Sequence, residues 1–324
     1  MQPFKPLHTN SHFQTIAGHL WRRRLDTVRY PVTSELVETE PGVQVLVESQ
    51  TPECAPRGHI VMVHGLEGSG EAGYMRSLSQ AALEAGFAPH RFHMRTCGGT
   101  EHLCQTLYHA GLTCDLRAVL EHFAGLGRTP AWLVGFSLGG NVVLKLAGEL
   151  GEAGKRLIAG VCAVSTPVDL GRSVDRLARI DNRLYEWRFV RRMRRRLCRT
   201  GRFTRADFAG LRTVRDFDDR ITAPSFGFES GEHYYRTQSA IHFLEGIRVD
   251  TLIIQAKDDT FVPSVIFEGE ELRRNPCVRL MMVESGGHLG FVSRGAPRFW
   301  ADCAVLEWIQ EQVGTKRMRN SSEG

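Results

Sequence analysis

The chain has 324 residues, of which 42% are hydrophobic and 24% charged, and its formal net charge is +5. It is too apolar for a disordered polypeptide and long enough for one large domain or two ordinary ones. No apolar run approaches the roughly 20 residues that span a bilayer, and Met1-Gln2-Pro3-Phe4-Lys5-Pro6 has no secretory apolar core, so a soluble, cytoplasmic protein is expected.

In chain order, the first ~25 residues mix aromatic and basic side chains without clean periodicity and should wrap a core. Residues 27–32 and 43–49 read as antiparallel strands, and 59–63 as the first parallel strand. A helix is expected over 78–85, a strand over 88–94, a helix over 113–126, an apolar strand over 131–136 and a helix beyond it. The strand 157–164 comes next. Between 169 and 247 the strand pattern gives way to short helical segments, and strands return at 251–256 and 278–283 before a final helix. Repeated strand and helix alternation points to a mostly parallel, doubly wound α/β sheet. Residues 1–168 and 248–314 are assigned to its core, 169–247 to an inserted helical cap and 315–324 to a flexible tail.

The chemistry centres on Gly135-Phe136-Ser137-Leu138-Gly139, a glycine-framed serine between an apolar strand and a helix bearing Val142, Val143, Leu146, Ala147 and Leu150 at helical spacing. A serine on so sharp a turn needs small residues two positions either side, and its hydroxyl is presented at the helix start. The hydroxyl needs a histidine base, and the histidine needs a carboxylate. The strand 251–256 ends in adjacent acids. Asp259, three residues after Ala256 and four before Pro263, is preferred to Asp258. His288, in Gly286-Gly287-His288-Leu289-Gly290, is the candidate base. The backbone amides of Leu66 and Leu138 are the candidate oxyanion donors. His64 is read as structural. The eight cysteines show no paired zinc-type spacing, so no metal, disulfide framework or other cofactor is expected. Cys97 is read as a core residue rather than a reactive thiol.

With these residues in place the chain resembles the YheT-like branch of the α/β-hydrolases, bacterial esterases related to the eukaryotic ABHD lipases. The resemblance rests on His12-Phe13-Gln14-Thr15 and on segments 64–69, 94–99, 108–115, 135–141, 217–223, 256–259 and 286–291. It implies the α/β-hydrolase fold and a serine esterase or lipase, with Ser137, Asp259 and His288 at the triad positions. Two departures stand out: Thr96 where the family usually has glycine, and Thr260 where it usually has proline.

Nine arginines and no acid lie between Arg188 and Arg205, and without them the net charge would be −4. Phe189, Val190, Met193 and Leu197 share one helical face there, leaving a cationic outer side as a candidate contact for anionic membrane rather than nucleic acid. Arg95 is expected to pair with an acid of the cap. The triad serves thioesters and amides as well as esters, and a non-catalytic binding protein can occupy the same scaffold. The small-molecule or lipid ester is the preferred substrate class.

Overall fold

The computed structural model describes residues 2–322, with side chains described through Thr315. Eight strands form one sheet: β1 (Thr33–Glu40), β2 (Val43–Ser49), β3 (His59–Val63), β4 (Ala88–Phe92), β5 (Ala131–Phe136), β6 (Ile158–Val164), β7 (Thr251–Ala256) and β8 (Val278–Val283). Their spatial order is β1-β2-β4-β3-β5-β6-β7-β8. The pairs β1/β2 and β2/β4 are antiparallel and the rest parallel. The helices that cover the sheet and surround its carboxyl edge include α1 (Ser11–Leu20), α2 (Gly73–Glu84), α3 (Cys114–Gly125), α4 (Leu138–Leu150), α5 (Leu170–Leu177) and α6 (Arg183–Arg199).

The central strands are apolar at nearly every position because both faces are covered, and their two-residue period divides the core. Val61, Val63, Leu133, Ala163 and Ile253 pack with Val142, Val143 and Leu146 of α4 and Leu116 and Leu120 of α3. Ile60, Met62, Val134, Cys162 and Ile254 pack on the other face with Met75 and Leu78 of α2 and with Val305 and Ile309 of the last helix. Each parallel crossover returns its helix to one of these faces, so the loops at the strands' carboxyl ends collect along one edge.

Two expectations need correction. Residues 27–30 form a turn rather than a strand, because the Asp26 carboxylate accepts the amides of Val28 (3.1 Å) and Arg29 (2.9 Å); the first strand begins at Thr33. The helix expected over 78–85 starts five residues earlier, at Gly73. The last helix, Trp300–Ser322, extends into the segment assigned to the tail. Residues 323–324 lie outside the described residues.

Between β6 and β7 the chain forms α5, α6, the helix Gly231–Gln238 and shorter turns. Met193 and Leu197 of α6 build a separate small core with Leu107, Phe208, Leu211 and Phe217. No helix among the described residues is long and apolar enough to cross a membrane.

Candidate active site

Ser137 joins β5 to α4 with φ 51° and ψ −122°, a positive-φ conformation that costs a side-chain-bearing residue on the order of 1–3 kcal/mol. Close packing enforces it. A Cβ on Gly135 would run into the Gly139 carbonyl, and one on Gly139 would run into the Val63 carbonyl. The serine is thereby raised above the carboxyl end of the sheet.

β7 delivers Asp259 from the next loop, and the loop after β8 delivers His288. His288 Nε2 lies 2.8 Å from Ser137 Oγ, and His288 Nδ1 lies 3.0 and 3.1 Å from the two Asp259 oxygens. Asp259 is almost wholly buried, at 4% exposure. Its Oδ1 also accepts the Phe261 and Val262 amides (2.9 and 3.0 Å), and its Oδ2 accepts Gln255 Nε2 (3.0 Å). Those donors hold the carboxylate in place. Asp258 points elsewhere: its Oδ1 accepts the Gly287 amide at 2.9 Å, and burial pushes its carboxyl above the usual range. It therefore shapes the histidine loop from behind.

Around Leu66 three successive amides meet different fates. Gly65 N–H donates to Tyr74 Oη (3.0 Å) and Glu67 N–H to Tyr108 Oη (2.9 Å). Leu66, between them, faces the same cavity as Ser137, Leu138 and His288. His64 is neutral: burial pushes it down to about 3. Its Nδ1 donates to the Gly65 carbonyl (2.8 Å) and its Nε2 accepts the Met94 amide (3.2 Å), so it fastens the loop after β3 to the end of β4. Cys97 is buried, which pushes its thiol up to about 12, and it sits in the core.

Several residues that support this arrangement are not evident from the sequence. Thr15 Oγ1 of α1 accepts the His288 amide (2.9 Å) and touches Thr260 Oγ1 (3.2 Å). Its only signal is the His12-Phe13-Gln14-Thr15 motif, which by itself carries no role. Glu67 and Arg196 form a buried pair at 2.9 Å. The Arg196 guanidinium also donates to Thr96 Oγ1 and lies 4.7 Å above the Tyr108 ring, while Arg192 donates to the Glu67 carbonyl at 2.5 Å. Thr96 has φ 61°, a conformation that favours glycine, and its hydroxyl accepts from Arg196. Arg95, expected to bind the cap, instead pairs with Asp115 of α3 (2.6 Å) and Glu40 of β1 (3.1 Å). The reason is proximity: α3 packs on β1 beside the loop that carries Arg95.

The cavity beside Ser137 measures about 110 Å³ and is mainly apolar, with Leu170, Leu177, Phe189, Met193 and Phe261 among its walls. Asp218 is a buried exception. It accepts Tyr235 Oη (2.8 Å) and Thr222 Oγ1 (2.7 Å), yet burial outweighs both bonds and pushes its carboxyl up to about 6. The folded chain thus keeps a proton that the unfolded chain releases near pH ~4. Its contribution to stability should be full below that pH and fall as pH rises through about 6. Urea midpoints measured between about pH 4 and 7 should show this decline, and Asp218→Asn should reduce it, the remainder belonging to Asp302, whose carboxyl is likewise pushed up to about 6 by burial.

The family model for the alpha/beta hydrolase family matches residues 60–302. The chain is 31% identical to YheT of Escherichia coli (strain K12), which carries an esterase name, over 95% of this chain and 92% of that one. It is 24% identical to phospholipase ABHD3 of Mus musculus, over 96% and 80% of the two chains. Among solved structures, the Pyrococcus furiosus esterase Pf2001 superposes with a TM-score of 0.59 at 16% identity, covering 89% of this chain and 98% of that one. A family match that runs from β3 through β8 and includes Ser137, Asp259 and His288, together with the near full-length similarity to YheT, makes the chain a member of the alpha/beta hydrolase family, on its YheT-like branch.

Proposed function

We propose that this hydrolase cleaves carboxylic esters through an acyl-enzyme on Ser137. The observation that carries the reading is the unbroken hydrogen-bond relay from Asp259 through His288 to Ser137, opening on an apolar cavity. His288 Nε2 takes the serine proton as Oγ attacks the ester carbonyl, and Asp259 stabilises the imidazolium that results. The Leu66 and Leu138 amides receive the oxyanion, Leu138 with the added field of the α4 N-terminus. His288 then protonates the departing alcohol. Water repeats the sequence on the acyl-enzyme and restores the serine.

Residues 169–247 act in this reading as a cap. They supply Leu170, Leu177, Phe189 and Met193 to the cavity, an apolar wall suited to an acyl chain and to excluding bulk water from the intermediate. The esterase and phospholipase names of the relatives agree with an ester substrate. A fluorophosphonate probe should label Ser137 stoichiometrically, and a series of nitrophenyl esters should show turnover that rises with acyl length until the cavity is filled. Absence of labelling would favour a binding protein, and thioesters turned over faster than matched oxygen esters would favour a thioesterase.

A further inference from the structure

Two helices beside the site carry large apolar side chains that the fold leaves in water. On α1 these are Phe13, Ile16 and Leu20, exposed by 44, 46 and 70%. Just before and within α6 they are Ile180, Leu184 and Trp187, exposed by 76, 73 and 54%. Single exposed apolar residues are ordinary, whereas a contiguous set calls for a partner.

The contacts between the helices show that the set is contiguous. His12 stacks on Tyr185 with ring centroids 5.7 Å apart and its Nδ1 3.2 Å from the tyrosine hydroxyl. Farther along both helices, Arg188 donates to His19 Nε2 at 2.8 Å. The helices therefore lie side by side and run in the same sense. At about 100° per residue, Phe13, Ile16 and Leu20 fall to one side of the His12–His19 line. Leu184, Trp187 and Arg191 fall to the opposite side of the Tyr185–Arg188 line. For two helices running in the same sense, that puts both groups on one outward face.

Charge identifies what covers the face. Arg196 and Arg192 reach inward to Glu67, so the cationic helix is not cationic all round. Arg188, Arg191 and Arg195 lie on the outer part of α6, and Arg191 lies 5.1 Å above the Trp187 ring. Glu186, the one acid within α6, is buried and accepts the Val214 amide (3.1 Å), and Asp181, just before the helix, is paired with Arg176 (2.8 Å). Apolar side chains with tryptophan among them, bordered by arginines, match the boundary between anionic headgroups and acyl chains. A second copy of the chain docked face to face would bring the same arginines together with no exposed acid on α1 or α6 to answer them.

The face also lies directly over the reaction site. The inner side of α6 packs Tyr185 and Phe189 on Phe261 (4.9 and 5.8 Å), and Phe261 lies 4.5 Å from the His288 ring. We propose that the paired outer faces of α1 and α6 form a docking surface for an anionic lipid bilayer, seating the cavity mouth at the membrane boundary. Its use in presenting a lipid ester rests on the proposed esterase activity; binding itself does not.

Sedimentation with vesicles tests it. The chain should bind vesicles of phosphatidylcholine mixed with phosphatidylglycerol at least tenfold more tightly than phosphatidylcholine alone, with a blue shift of tryptophan emission. The double variant Leu184→Ser, Trp187→Ser should lose at least tenfold in vesicle affinity while hydrolysing a dissolved short-chain nitrophenyl ester at the unchanged rate. Arg191→Glu with Arg195→Glu should abolish the preference for the anionic lipid. Ser137→Ala should bind as the unsubstituted chain does, so a failed ester reading would leave the binding result standing. No binding to anionic vesicles at low salt, full binding by the serine variants, or a dimer that those variants dissociate would each overturn the proposal.

Discussion

Replacing Ser137 with alanine is expected to lower ester turnover by roughly 10⁵- to 10⁶-fold, the scale of nucleophile loss in other triads. The fold should survive. The change removes one partly exposed hydroxyl whose partner is His288 Nε2, and it leaves the His288–Asp259 bond and the Gly135 and Gly139 packing in place. Alanine must still adopt φ 51°, so stability should change by no more than about 1 kcal/mol either way. Thermal unfolding beside nitrophenyl ester kinetics separates the two effects. Residual turnover within about a hundredfold of the parent would show that another group is the nucleophile.

The second large effect divides two neighbouring acids. Asp259→Asn should cost about 10⁴-fold in kcat, because an amide at this position presents an N–H to His288 Nδ1 and drives the imidazole into the wrong tautomer. Fluorophosphonate labelling should slow in parallel. Asp258→Asn should cost less than about tenfold, since its Oδ1 serves the Gly287 amide at 2.9 Å and an asparagine oxygen accepts that bond equally well. If the larger loss fell on Asp258, the relay from Asp259 would have to be abandoned despite its geometry.

Much of this is legible in the sequence because strands and helices announce themselves locally. The parallel part of the sheet needs only the apolar runs and the right-handed crossovers between them. Ser137, Asp259 and His288 can be named because each stands where a strand's carboxyl end meets a loop with glycine or adjacent acids. What stays hidden has no local signal. Arg196 and Glu67 are 129 residues apart, and nothing in the run of nine arginines marks the two, Arg192 and Arg196, that reach inward. Arg95 misleads for the same reason, since Asp115 reaches it only through the packing of α3 on β1. The turn at 26–30 imitates a strand in composition, and the Asp26 side chain decides otherwise.

The inward guanidinium of Arg196 has one further consequence. It links α6 to the loop that holds Leu66, through a buried pair in which removing either partner costs on the order of 3–5 kcal/mol. Roof and floor of the reaction chamber are therefore a single mechanical unit. Removing Arg196 from the roof would strand Glu67 without its counterion and release the loop after β3 on which Leu66 stands.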